Sequence, residues 1–142
     1  MGHKYLKELG ISDDMCVPNT DYKDTEGRDE RFKKQRKKFG FDERETWAMD
    51  FTLACWIYEH FKWYDEYVLI NTTFYTFDIE VVDNVEKNTT KVKKVTQEQA
   101  IKKVLEYIEK YFTYNDKNNS AAYFYYKCAL NIVAEIMPVM WW

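Results

Sequence analysis

Residues 40–67, "GFDERETWAMDFTLACWIYEHFKWYDEY", place three tryptophans, three phenylalanines and three tyrosines in 28 positions. Charged residues cluster at the front, where Asp42, Glu43, Arg44 and Glu45 precede Trp47. Asp42 with Glu45 three positions later is a variant of the capping box, in which two side chains satisfy the orphan amides of a helix start. A central helix is therefore expected from Asp42 to about Tyr67. One face carries Trp47, Phe51, Ala54, Tyr58 and Phe61. A second carries Met49, Leu53, Trp56, Ile57, Trp63 and Tyr64. A helix apolar around most of its circumference is expected to be surrounded by other elements.

Upstream, "GISDDMCVPNTDYKDTEG" (10–27) is polar and punctuated by Gly10, Pro18 and Gly27, and residues 1–27 read as an irregular N-terminal arm. "RDERFKKQRKK" (28–38) has good helix formers and one apolar side chain, Phe32. It predicts a short, basic, solvated helix with a single anchor. Downstream, residues 75–82 alternate Tyr75, Phe77, Ile79 and Val81 with Thr76, Asp78, Glu80 and Val82, which is strand periodicity. With a turn near Asp83-Asn84 and a second strand near Lys91–Val95, a small β-ribbon is expected at about 68–95.

Thr96 and Gln99 form another capping box. Behind it Ile101, Val104, Leu105, Ile108 and Phe112 repeat at helical spacing, so an amphipathic helix is predicted over about 97–113. A last helix, capped by Asn119 or Ser120, runs from Ala121 to about Met137 and stops at Pro138. The predicted class is mainly α: a small bundle of about three long helices and a short basic helix, with a peripheral ribbon. Residues 28–142 are expected to form one domain, a length that buries a core without disulfides or a metal.

Composition narrows the function classes. Apolar residues make up 46% and charged residues 32%, and the net charge is −3, so a general nucleic-acid surface is not expected. Aromatic residues reach 18%, a feature of cores and interfaces alike. Cys16, Cys55 and Cys128 form no CxxC pair, which fits a reducing compartment. The N-terminus lacks a secretory h-region, Leu6 stands where myristoylation wants Ser or Thr, and no apolar run is long enough for a membrane span. A cytoplasmic protein is expected.

No catalytic motif is present: there is no P-loop, GxGxxG, GxSxG or HExxH, so no enzyme, cofactor or metal is expected. His60 with Asp50 lacks the Glu-x-x-His pairs of helical metal sites. Cys55 and His60, five residues apart, point about 140° away from each other on a helix. All four arginines, Arg28, Arg31, Arg36 and Arg44, fall in one short stretch. Their planar forks suit phosphates and carboxylates. With Trp47 and Asp50 they make a candidate ligand site, here for a nucleotide-type anion. A solvated helix with i, i+4 ion pairs is the alternative reading of the same residues. At the other end Met140, Trp141 and Trp142 follow Pro138 and are expected to fold back on the helices or dock into a neighbouring subunit.

"GFDERETWAMDFTLA" (40–54) resembles a signature of small uncharacterised bacteriophage and prophage proteins, carried here by Gly40, Asp42, Glu45, Trp47 and Asp50, with Met49 in the usual leucine position. The closing "IMPVMWW" is similar to the tail of some of them. The resemblance covers about a third of the chain and brings no established activity. It implies a viral accessory protein of the bacterial cytoplasm. Together these readings anticipate a homo-oligomeric binding protein that sequesters a host-defence nucleotide. The alternative is a structural or protein-interaction role, with a host protein or another copy as partner and no small ligand.

Overall fold

The computed structural model describes residues 4–11, 27–68 and 75–140. The fold has the expected class, a mainly α bundle with a small ribbon. Helices α1 (Tyr5–Glu8), α2 (Arg28–Phe39), α3 (Met49–Trp63), α4 (Gln97–Tyr114) and α5 (Asn119–Ile136) are joined by one antiparallel hairpin, β1 (Thr76–Asn84) and β2 (Thr89–Thr96). The chain divides into two compact units, Met1–Glu59 and His60–Trp142, where the sequence suggests one domain over 28–142. Among the described residues no helix is long and apolar enough to cross a membrane.

In the first unit the expected irregular arm contains a helical turn. In α1 and just beyond it, Tyr5, Leu6 and Ile11 are buried. No local side chain caps α1. The Glu59 carboxylate does so from α3, accepting the backbone N–H of Tyr5 at 3.0 Å and of Leu6 at 3.1 Å, and that of Lys4 as well. Sequence rules for helix starts look four residues either way and miss a cap 53 positions distant. Glu59→Ala is expected to cost about 1–2 kcal/mol, the range for a lost cap and its bonds. Urea unfolding measures the loss, and hydrogen exchange should show the Tyr5 and Leu6 amides losing protection.

Helix α2 ends at Gly40 in the left-handed region (φ 83°), with the Gly40 N–H returned to the Arg36 carbonyl at 2.9 Å. Phe32 is its single buried side chain. The central helix departs from expectation. The Asp42–Glu45 capping box is present, but it closes a 3-10 turn, Glu43–Thr46, and α3 begins only at Met49 after a turn at Trp47–Ala48. The Asp42 carboxylate that caps this turn is also held by Arg36 and Arg44, which fixes the turn apart from α3. At the other end α3 passes at Trp63 into a π-helical turn, Tyr64–Val68.

Burial along α3 also departs from expectation. Ala54, Cys55, Ile57, Tyr58 and Phe61 of α3 are buried. Trp47, Met49, Leu53, Trp56 and Trp63 are exposed, so the segment expected to be enclosed all round is enclosed on one side.

In the second unit the ribbon pairs Ile79 with Lys93 and Val81 with Lys91, and Ile79, Val81 and Val95 are buried. The part of the expected ribbon at 69–74 lies outside the described residues. The Tyr107 hydroxyl of α4 accepts the Val82 N–H at 2.8 Å, which ties the outer edge of β1 to the helix. Burial is the main cause that pushes the Tyr107 phenol up to about 12. Helix α4 starts at the anticipated Thr96–Gln99 capping box. Its buried stripe, Ile101, Val104, Leu105 and Ile108, continues to Tyr111, while Phe112 is half-buried. Gln97 is buried as well and donates its side-chain amide to the Tyr64 hydroxyl at 3.2 Å.

Helix α5 is capped by Asn118, whose side chain accepts the Ala121 N–H at 3.2 Å, in place of Asn119 or Ser120. It ends at Ile136, and Pro138 sits in a following 3-10 turn, Met137–Val139. Ala122, Tyr126, Cys128, Ala129, Ile132, Val133 and Ile136 face the core, whereas Tyr123 and Met137 are exposed.

Candidate functional site

Three of the four candidate arginines converge in the first unit. The side chain of Asp42 has no exposure. It accepts Arg44 Nε on Oδ1 at 2.9 Å, Arg44 Nη2 on Oδ2 at 2.9 Å and the Arg44 backbone N–H on Oδ1 at 3.0 Å. Arg36 Nη2 adds a further bond to Oδ2 at 2.9 Å. The fork-to-fork pairing with Arg44 is the strong, planar kind. Burial alone would raise the Asp42 carboxyl, but the hydrogen bonds from Arg44 and Arg36 outweigh it and hold the pKa at about 2. The same contact raises the Arg44 guanidinium.

Arg31 turns to Glu43, Nε to Oε1 at 2.6 Å, and Arg36 also reaches Glu45 at 3.4 Å. Phe32 lies beneath this layer. The Arg44 guanidinium sits 4.6 Å from its ring centroid and that of Arg31 5.4 Å. Trp47 meets Phe32 edge to face, with centroids 6.1 Å apart. The structure thus brings Arg31, Arg36, Arg44 and Trp47 together, around Asp42 and Phe32. Arg28 is half-buried at the first position of α2, and Asp50 is half-buried in the first turn of α3. Of the C-terminal set, Met140 is half-buried, and Trp141 and Trp142 lie outside the described residues.

Sequence reasoning gave Asp42 only a capping role and missed it as the hub of the cluster. The signal was available: four acids, Asp42, Glu43, Glu45 and Asp50, are interleaved with the last arginine. Chemically the cluster is a folded ion-pair network whose guanidinium nitrogens already hold carboxylates. A different basic surface runs along α2. A groove of about 330 Å³ there is lined by Arg31, Lys34, Lys38 and Glu30, with Gln35 and Phe39 beside them.

The second feature is apolar. Met49, Leu53 and Trp56 stand at i, i+4 and i+7 on α3 and are 65%, 43% and 48% exposed. These three large side chains share one helical face and are each partly exposed, and exposed apolar patches are where contacts with other molecules form.

The chain matches no known family model, no curated protein and no solved structure.

His60 is exposed on α3. Asp78 forms an ion pair across the ribbon with Lys94 at 3.2 Å. Cys55 and Cys128 are buried free thiols, and burial is the main cause that raises the Cys128 thiol above its ordinary value. A raised thiol is a poor nucleophile. Among the described residues no three His, Cys, Asp or Glu side chains are placed to share a metal ion.

Proposed function

We propose that this chain is a non-catalytic accessory protein of phage type that works in the bacterial cytoplasm by docking a protein partner on the Met49–Leu53–Trp56 face of α3. The exposure of that face carries the reading. Leaving it in water forfeits burial of two long aliphatic side chains and an indole, and methionine and tryptophan are residue types enriched in contact surfaces. A second copy of the chain is the first partner to test. The phage assignment rests on the resemblance of residues 40–54 to prophage proteins.

Native mass spectrometry against concentration is the direct measurement. Trp56→Asp is expected to weaken an assembled form by at least about tenfold, the effect of removing a central aromatic anchor. Both Trp56 and Leu53 are exposed, so the variants should keep the helical circular dichroism of the parent. An assembly state untouched by Trp56→Asp and Leu53→Asp would sink the face as a contact between copies.

A second reading, sequestration of a host-defence nucleotide, is favoured by the groove along α2. Lys34 and Lys38 line it beside Glu30, and neither lysine forms an ion pair among the described residues. Phosphates would meet these lysines, because Arg31, Arg36 and Arg44 are engaged with Glu43, Asp42 and Glu45. Adding cyclic dinucleotides or ADP-ribose to the same experiment separates the two. A stoichiometric gain of nucleotide mass, lost in Lys34→Glu/Lys38→Glu, would move the function to this groove.

A further inference from the structure

A second groove, of about 400 Å³, lies wholly in the His60–Trp142 unit, between the β1–β2 hairpin and α5. Its volume is in the range of about 300–1,000 Å³ that small-molecule sites occupy. Glu80 and Thr90 line it from the hairpin, and Tyr123, Phe124, Lys127 and Asn131 from α5. The α5 residues fall at i, i+4 and i+8 with Phe124 alongside, so one helical face presents a ring, an ammonium and an amide in sequence. Tyr123 is 49% exposed, with its ring centroid 6.1 Å from that of Tyr111.

The charges are the informative part. Glu80 and Lys127 line the same groove, yet neither forms an ion pair with the other or with any described residue. Elsewhere on the ribbon carboxylates do find lysines: Asp78 meets Lys94 at 3.2 Å and Asp83 meets Lys91 at 3.8 Å. One negative and one positive group therefore line a shared space without an ion pair between them.

This pattern selects its ligand by elimination. A simple anion that reached Lys127 would also meet Glu80, and a simple cation would meet Lys127, so each is attracted once and repelled once. A molecule that carries both charges on neighbouring atoms satisfies both. Tyr123 and Phe124 add an aromatic wall, which favours a planar apolar side chain stacked or edge-on against it. Thr90 and Asn131 supply hydroxyl and amide groups that fix orientation. We propose that the groove binds a free aromatic α-amino acid, its ammonium on Glu80, its carboxylate on Lys127 and its ring against Tyr123 and Phe124. The groove shares no residue with the α3 face and stands or falls independently of the proposed docking function.

Calorimetric titration with L-phenylalanine tests it, with phenethylamine and 3-phenylpropionate as probes that each lack one charge. L-phenylalanine is expected to bind saturably in the millimolar range or tighter, and each one-charge probe roughly fivefold more weakly, the scale of one partly exposed ion pair. Glu80→Gln should weaken L-phenylalanine by a similar factor and bring 3-phenylpropionate level with it. Lys127→Met should do the same for phenethylamine. A merely structural perturbation would not reverse the ranking of probes in this crosswise way. Both residues are exposed, so both variants should unfold at the temperature of the parent. Absence of saturation with millimolar L-phenylalanine overturns the proposal. So does a probe ranking that neither substitution alters.

Discussion

Replacing Asp42 with alanine lowers the unfolding free energy by about 3 kcal/mol, seen as a fall in the urea midpoint at unchanged slope. The side chain is fully buried and accepts three bonds from Arg44 and one from Arg36. Breaking a buried pair costs about 3–5 kcal/mol because the remaining charge loses its partner inside the protein. The lower end applies here, since the Arg44 and Arg36 side chains are 25% and 42% exposed and recover some water. Asp42→Asn is expected to fall close behind, because its amide presents a donor to guanidinium donors. A loss below about 1 kcal/mol for the alanine variant would mean that the carboxylate is solvated in the folded protein.

The same contact predicts an acid limb. The folded carboxyl titrates at about 2 against an ordinary 3.8. A depressed carboxylate contributes stability that is fully present above the unfolded value and is lost as the pH falls through the folded one. The window is therefore about pH 4 down to pH 2, and the amount is about 2 kcal/mol. In Asp42→Asn the acid limb between these values should flatten by that amount, while other carboxylates keep their share.

Ile108→Ala should cost about 3 kcal/mol. Ile108 has no exposure and lies on the inner stripe of α4. Removing its branched side chain forfeits the transfer energy and leaves a cavity that rigid neighbours close only in part. Ile108→Val, one methyl smaller, should cost about 1 kcal/mol, so the pair reports packing rather than hydrophobicity alone. Near-equal losses for the two variants would mean that the site collapses around alanine.

The elements differ in how far they were legible. Helix α4 was legible almost to the residue, because its signals are local: a capping box at Thr96 and Gln99, then apolar residues at helical spacing. The ribbon was legible in its first strand, where Ile79 and Val81 alternate with charge. Helix α2, with Phe32 as its single anchor, was legible for the same reason. The start of α3 was misplaced, since one capping motif serves a 3-10 turn as well as an α-helix and the choice was made by Arg36 from another helix. The crowding of arginines near Trp47 was read as an anion site or as a solvated helix with i, i+4 ion pairs, and that carboxylates from beyond α2 occupy the guanidinium forks was not legible, because those contacts are set by the tertiary fold.

By itself the sequence determined the helical class, the ribbon, the cap of α4 and the absence of familiar catalytic motifs. Those properties follow from neighbours within about four residues, the reach of a helical turn or a strand pleat. Only the tertiary structure decided which side of α3 is covered, that Glu59 caps α1, that Asp42 is the buried hub, and that Glu80 and Lys127 line one groove unpaired. Helix α3 is apolar nearly all the way round, so its periodicity carries no preferred inward face. Its exposed face was chosen by what packs against the other side, and that information is spread across distant parts of the chain.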